Sequence, residues 1–514
     1  MISKLTLLLL SVSGETFSAH SLDGIPYHLL NEPIVKKDGD YREYAGLVLE
    51  NKLKVLLISD KLAVHAAVGL QTGTGWRDDP KDFPGLSNLC NKLLVERKSP
   101  DDVSFHKYIT SNAGYVTAEV SYTESEVSFQ VHANELNRSL ERLSELFVNP
   151  SFDETTLQEK ATAINNALAK MGNRGASYMQ AAKAALRTSH KYTNYSLGPL
   201  NPSKLNTTFL LDHFNKHYSS NLMTLVVLGT ADMDTLKNLV IPRFSKVKNS
   251  ELKPASLRSP YNDKNQVKHI NIQAPEEKVR LSIEFGLGPV TDETLKQLHF
   301  IKYLLGSWKT NSLVTLLRSK GSLGGLRVDI SNLKDFTEVT ATINHVSAEY
   351  VQEMVYILFM YLETLKAKSV TLEQYRAFIR SLADDSPSKD AFWGYKPHKL
   401  VSALSSKLMG VPFTSVLGVS EEPTEIDFTS FVSTVNLLNT TNFNVYEFAP
   451  FEGPSRTEPQ FGRNYAISNF SDEFLARLRA ATADDFAKWE KSEATYEMYS
   501  VRFPRLNETL LIKD

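Results

Sequence analysis

One run of elements is written twice in this chain. The segment Glu126-Val127-Ser128-Phe129-Gln130-Val131-His132 alternates apolar and polar side chains, as a half-buried strand demands. A polar turn follows, then an apolar helix from Leu140 to Phe147 and the pair Thr156-Leu157. About 213 residues on, Glu338-Val339-Thr340-Ala341-Thr342-Ile343-Asn344-His345 repeats the strand, Met354 to Leu365 the helix and Thr371-Leu372 the pair. An offset of that length is a duplicated unit. It predicts an α+β fold of two homologous domains, each a mixed β-sheet covered on one side by helices. The polar stretch Asn249 to Gln266, with Pro254 and Pro260, reads as the linker. It divides a first domain over 41–248 from a second over 267–514.

Inside the first copy, Leu47-Val48-Leu49 and Leu53 to Ile58 flank a turn at Glu50-Asn51, a hairpin signal. Val64 to Leu70 is a third apolar run, and Pro84-Gly85 leads into a helix. A later helix runs from about Asp153 to Gly172, with Leu157, Ala161, Ile164, Leu168 and Met171 on one stripe and Gly172 placed to end it.

The formal net charge is -2 over 514 residues, so nothing in the charge balance steers the chain to nucleic acid or acidic lipid. Cys90 is its only cysteine, which excludes an intrachain disulfide and any paired-cysteine metal or redox motif. No stretch reaches the roughly 18 apolar residues of a membrane span. At the amino terminus Lys4 precedes the run Leu5 to Leu10, and the small residues Ser11, Ser13, Gly14, Ser18 and Ala19 follow. That pattern resembles a short secretory signal peptide within 1–21, cleaved near Ser18; the plain alternative is a buried or frayed amino-terminal segment. The N-x-S/T sequons at Asn137, Asn194, Asn206, Asn439, Asn469 and Asn507 fit a secretory route, with a cytoplasmic protein as the alternative.

The helix Gly85-Leu86-Ser87-Asn88-Leu89-Cys90-Asn91-Lys92-Leu93-Leu94 has two distinct faces. Leu86, Leu89, Cys90, Leu93 and Leu94 form its buried stripe, where Cys90 is an inert thiol. Asn88, Asn91 and Lys92 gather on another face, read from spacing alone as a solvated polar face. His213 and His217 stand at i, i+4, the spacing of a zinc helix, yet no carboxylate lies between them. The plain reading is a surface helix. Gly321-x-x-Gly324-Gly325 lacks the Lys-Ser/Thr pair of a phosphate loop.

The segment Gly85-Leu86-Ser87-x-x-Cys90 resembles the one that carries the inverted zinc motif H-x-x-E-H in the insulin-degrading enzyme family. Other segments resemble that family too: Phe152-Asp153-Glu154, His217 to Met223 with Val226-Val227-Leu228-Gly229, and Leu316 to Gly321. Phe461-Gly462-x-x-Tyr465 and Phe503-Pro504-x-x-Asn507 resemble its closing segment. The similarity runs from about Tyr41 to Asp514 and corresponds to the family's amino-terminal half.

The resemblance sets Asn88 and Lys92 where the family has its two histidine ligands and Asn91 where it has the glutamate base. The third ligand falls at Ala167, a supporting acid at Lys160, and an active-site asparagine at Thr117. Amides, ammoniums and a methyl group are no zinc ligands, so the resemblance implies a degenerate site with no catalytic residue and no metal or other cofactor. Family members add peptide substrate as an edge strand, and Leu326 to Ser331 lacks the paired glycines of one receiving segment. The expectation is a catalytically inactive homologue that binds a peptide or a partner protein, a second peptidase-like half among them. The alternatives are a metalloendopeptidase using an unrecognised site and a structural subunit of a larger peptidase-like complex.

Overall fold

Alternating strands pair into two separate sheets in a computed structural model of the chain. It describes residues 14–492 apart from 172–174, 188–189, 191, 193–197, 257, 263, 276–278, 307–311, 321–324, 368–369, 385–395, 419–422 and 459–460. Residues 1–13, Gly172, Gly321 to Gly324, the 503–507 motif and the sequons at Asn194 and Asn507 lie outside the described residues.

The first sheet holds β1 (Phe17–Leu22), β2 (Ile25–Leu30), β3 (Glu43–Leu49), β4 (Lys54–Ser59), β5 (His65–Thr72), β6 (Tyr115–Val120), β7 (Ser125–His132) and β8 (Met223–Gly229), in the order β1-β2-β3-β4-β8-β5-β7-β6. Its pairs are antiparallel except β4 with β8. The second sheet holds β9 (Lys268–Gln273), β10 (Val279–Leu287), β11 (Leu326–Asn332), β12 (Thr337–Val346), β13 (Phe443–Ala449), β14 (Arg456–Thr457) and β15 (Asn464–Asn469), in the order β11-β12-β10-β13-β9-β15-β14. Here β13 with β9 is the parallel pair. The run β4-β8-β5-β7-β6 thus has the same plan as β9-β13-β10-β12-β11, as the duplicated sequence pattern requires.

Helices follow the strands in chain order. They are α1 (Leu86–Glu96), α2 (Phe105–Ser111), α3 (Leu136–Val148), α4 (Glu154–Met171), α5 (Gly175–Arg187), α6 (Thr207–His217), α7 (Met233–Phe244), α8 (Asp292–Gly306), α9 (Leu313–Ser319), α10 (Val351–Lys366), α11 (Leu372–Asp384), α12 (Pro397–Leu408), α13 (Phe428–Val435), α14 (Asp472–Arg479) and α15 (Ala483–Lys491). The duplicated segments are β7-α3-α4 and β12-α10-α11.

The two compact units are interleaved in sequence. One comprises Met1–Asn173, His190–Ser256 and Ile379–Glu422, the other Arg174–Ser189, Leu257–Phe378 and Pro423–Asp514. A single linker at 249–266 therefore does not describe the division. Helix α5 sets Tyr178, Ala181, Ala182 and Ala185 against Ile270, Ile272 and Phe448 of the second unit. Helix α12 belongs with the first unit, where Leu400, Val401, Leu404 and Leu408 pack on Leu56, Ile58, Ala67, Val226 and Leu228.

Strand alternation explains why the first sheet carries helices on both faces and not on one. Val55, Leu57, Leu225 and Val227 point into a large core with α1, α2, α3, α4, α6 and α7. Their sequence neighbours Leu56, Ile58, Val226 and Leu228 point the other way, toward α12. Gly69 of β5 permits that approach, since a Cβ there would stand 2.7 Å from the Val401 carbonyl oxygen. The Thr224 hydroxyl donates to the Ser405 carbonyl at 2.6 Å and fixes the same contact.

The sheet also begins earlier than residue 41. Strands β1 and β2 pair from Phe17↔Leu30 to Leu22↔Ile25 around Asp23-Gly24. Both turn residues have positive φ (50° and 82°), as a two-residue hairpin turn needs. The Asp-Gly pair was the available signal. Residues 14–21, inside the expected leader, are therefore folded, and the Glu15 carboxylate accepts the Thr414 amide at 2.8 Å.

Candidate functional site

Helix α1 starts at Gly85, whose φ of 88° suits a residue without a side chain and leaves no side-chain cap. Asp79 supplies the cap from a distance. Its carboxylate accepts the Gly85 amide at 2.7 Å, the Ser87 amide at 2.8 Å and the Ser87 hydroxyl at 2.6 Å. These satisfy donors that a helix start leaves open and place an acid against its positive end. Asp79 is fully buried, and burial pushes its carboxyl up to about 7 against the pull of those donors. Sequence reading missed Asp79, because a cap reaching across the Pro80–Pro84 loop leaves no fixed local spacing.

The polar face of α1 is not solvated. Asn91 is 1% exposed, and its Nδ2 donates to the carbonyl oxygens of Glu119 at 3.0 Å and Glu126 at 2.8 Å. It thereby ties the helix to the far end of the β6-β7 hairpin. Asn88 is 5% exposed and its Nδ2 has no hydrogen-bond partner among the described residues. Lys92 is half-buried. The reading of this face as a surface fails because β6 and α4 cover it.

Helix α4 packs beside α1 and carries the other two expected positions, with different outcomes. Lys160 pairs with Glu96 of α1 at 2.6 Å. Ala167 is exposed and its stripe neighbours Ile164 and Leu168 are buried. Thr117 does not join the α1 residues. Val116 and Ala118 of β6 pack into the core that holds α1, so Thr117 between them faces the other way. Its hydroxyl lies 2.6 Å from the Ser128 hydroxyl.

His213 is also no surface residue. It is buried, its Nε2 is 3.3 Å from the Ser87 hydroxyl, and its ring centroid is 4.7 Å from that of His217. Burial, with His217 and Lys216 near, holds it down to about 3, so the ring is neutral. Cys90 is fully buried, and its thiol is pushed up to about 12, as an inert core residue requires. Among the described residues no three of His, Cys, Asp and Glu converge as a metal-holding group.

Residues 54–199 match the family model described as insulinase (peptidase family M16), and residues 204–382 match the peptidase M16 inactive domain. The chain belongs to the insulinase family. Human insulin-degrading enzyme is 26% identical over 487 residues, which cover 88% of this chain and 47% of that enzyme. The putative zinc protease C28F5.4 of Caenorhabditis elegans is 27% identical over 66% of this chain and 42% of its own. The chain thus spans about half the length of these insulinase relatives. The fold agrees: crystalline pitrilysin superposes with a TM-score of 0.77 at 19% identity, covering 90% of this chain and 50% of its own. A protease from Helicobacter pylori gives a TM-score of 0.66 at 15% identity, over 79% of this chain and all of that one.

Proposed function

We propose that this chain is a catalytically inactive insulinase homologue that binds a peptide or a partner protein. The observation that carries the reading is the commitment of Asn91. At the position that the family resemblance gives to the base, an amide N–H₂ clamps two backbone carbonyls, Glu119 and Glu126. A glutamate there would turn a carboxylate toward two carbonyl oxygens, so this position holds a hairpin and takes no proton. The ligand positions fit zinc no better. Asn88 offers an amide, Lys92 an ammonium and Ala167 a methyl group, whereas zinc takes imidazole, thiolate or carboxylate.

Binding is supported by the sheet ends. Strand β6 closes one end of the first sheet and β11 one end of the second, each paired along a single side among the described residues. An extended chain adds to such an edge through main-chain hydrogen bonds. The β11 ladder runs unbroken from Leu326↔Ile343 to Asn332↔Thr337 without paired glycines. A second peptidase-like half is a fitting partner, since the relatives extend well beyond the matched part.

The reading keeps the secretory route but moves the end of the leader to before Gly14, because removal through Ser18 would cut into β1. Amino-terminal sequencing of the mature protein checks this. The central test is metal analysis of the purified chain beside a fluorogenic-peptide assay. No stoichiometric zinc and no chelator-sensitive cleavage are expected. About one zinc per chain together with such cleavage would sink the proposal.

A further inference from the structure

Two hydrogen-bond donors stand one turn apart on α1 with no acceptor among the described residues. The first is Asn88 Nδ2, shut off from solvent in a residue 5% exposed and without an acceptor among the described residues. A buried N–H without a partner is rare in folded proteins and calls for an explanation. The second is Lys92, half-buried, which makes no ion pair or hydrogen bond to any described residue. Residues i and i+4 of a helix are surface neighbours, so the two donors share a face.

The surrounding groups leave that face electropositive. Asn91 is spent on the Glu119 and Glu126 carbonyls. Glu96, one turn beyond Lys92, is already paired with Lys160 at 2.6 Å. Strand alternation turns the Glu119 side chain with that of Thr117, away from the core that holds α1. Among the described residues, one ammonium without a counter-ion and one amide N–H₂ without an acceptor remain.

We propose that Asn88 and Lys92 form a carboxylate-binding site that takes an acidic side chain or a chain terminus of a bound ligand. The two oxygens of a carboxylate match two donors, and its single charge matches the single free ammonium. The amide gains the acceptor it lacks. This inference stands on the two donors and holds whether or not the chain is inactive as a peptidase.

The test is isothermal titration of the full chain at low ionic strength with propionate, its uncharged counterpart propionamide, and inorganic phosphate. Propionate is expected to fill one site with millimolar affinity, and propionamide to bind at least tenfold more weakly. Asn88→Ala and Lys92→Met should each weaken propionate at least tenfold, with circular dichroism verifying the fold and Lys92→Gln serving if Lys92→Met does not fold. Lys98→Met, at an exposed lysine, should leave binding unchanged. Absence of propionate binding up to 50 mM, equal binding of propionamide, or unchanged affinity in the folded variants overturns the site. Phosphate binding tenfold tighter than propionate overturns the carboxylate assignment.

Discussion

The Lys160 ammonium lies 2.6 Å from the Glu96 carboxylate and joins α4 to α1. At the position where the family resemblance implies a supporting acid, this chain holds a cation that neutralises an acid of the neighbouring helix.

Lys160→Glu is accordingly expected to destabilise the fold by about 1 kcal/mol, the scale of a partly exposed pair with like charges put in its place. Urea denaturation measures it. The charge swap Lys160→Glu with Glu96→Lys should recover most of the loss, and a swap no better than the single change would show that the pair contributes nothing.

Restoring a metal site is limited by Asn91. Asn88→His with Lys92→His and Ala167→Glu supplies three ligands on α1 and α4, and zinc uptake is expected. Adding Asn91→Glu strips two carbonyls of their donor in a buried place, at a cost of about 1–3 kcal/mol. The quadruple variant should therefore melt lower than the triple one before metal is added. Calorimetric zinc titration and thermal melting of both decide, and failure of the folded triple variant to take up zinc refutes the register.

Two buried groups oppose each other in their response to pH. His213 is lowered from 6.5 to about 3, so its contribution is complete above about pH 6.5 and is lost as pH falls toward 3. Asp79 is raised from 3.8 to about 7, so its contribution is complete below about pH 4 and is lost as pH rises through 7. Between pH 4.5 and 6.5 their slopes, each about 1.4 kcal/mol per pH unit, nearly cancel. His213→Phe should make stability fall with rising pH in that window, and Asp79→Asn should make it rise. Denaturation at the two pH values reads the slopes; identical slopes in both variants and the parent would refute the assignment.

The seat of α12 depends on Gly69. A methyl group there meets the Val401 carbonyl oxygen at 2.7 Å and its carbon at 2.9 Å, and backbone cannot swing aside as a side chain does. Gly69→Ala is expected to cost roughly 2 kcal/mol through displacement of the helix. Faster amide exchange over Pro397–Leu408, with Leu86–Glu96 unchanged, is the accompanying signature.

The duplication, the α1 stripe and the long α4 helix were legible in the sequence because each depends on local period. A strand that buries one face alternates, a helix that buries one face repeats near every fourth residue, and both patterns are written residue by residue. The similarity of Gly85-Leu86-Ser87 and Phe152-Asp153-Glu154 to the family then fixed which positions to watch. What those positions do was decided by tertiary structure. Asn91 looks like any polar helix residue until strand pairing brings two carbonyls from 28 and 35 positions away under its amide. Asp79 caps α1 only because the intervening loop folds back, and Thr117 turns from α1 only because its neighbours on β6 face the core. The return of α12 to the first sheet is likewise invisible locally, since an apolar helix stripe specifies burial but not which sheet will bury it. Sequence period sets which faces must be covered, and only the folded chain sets what covers them.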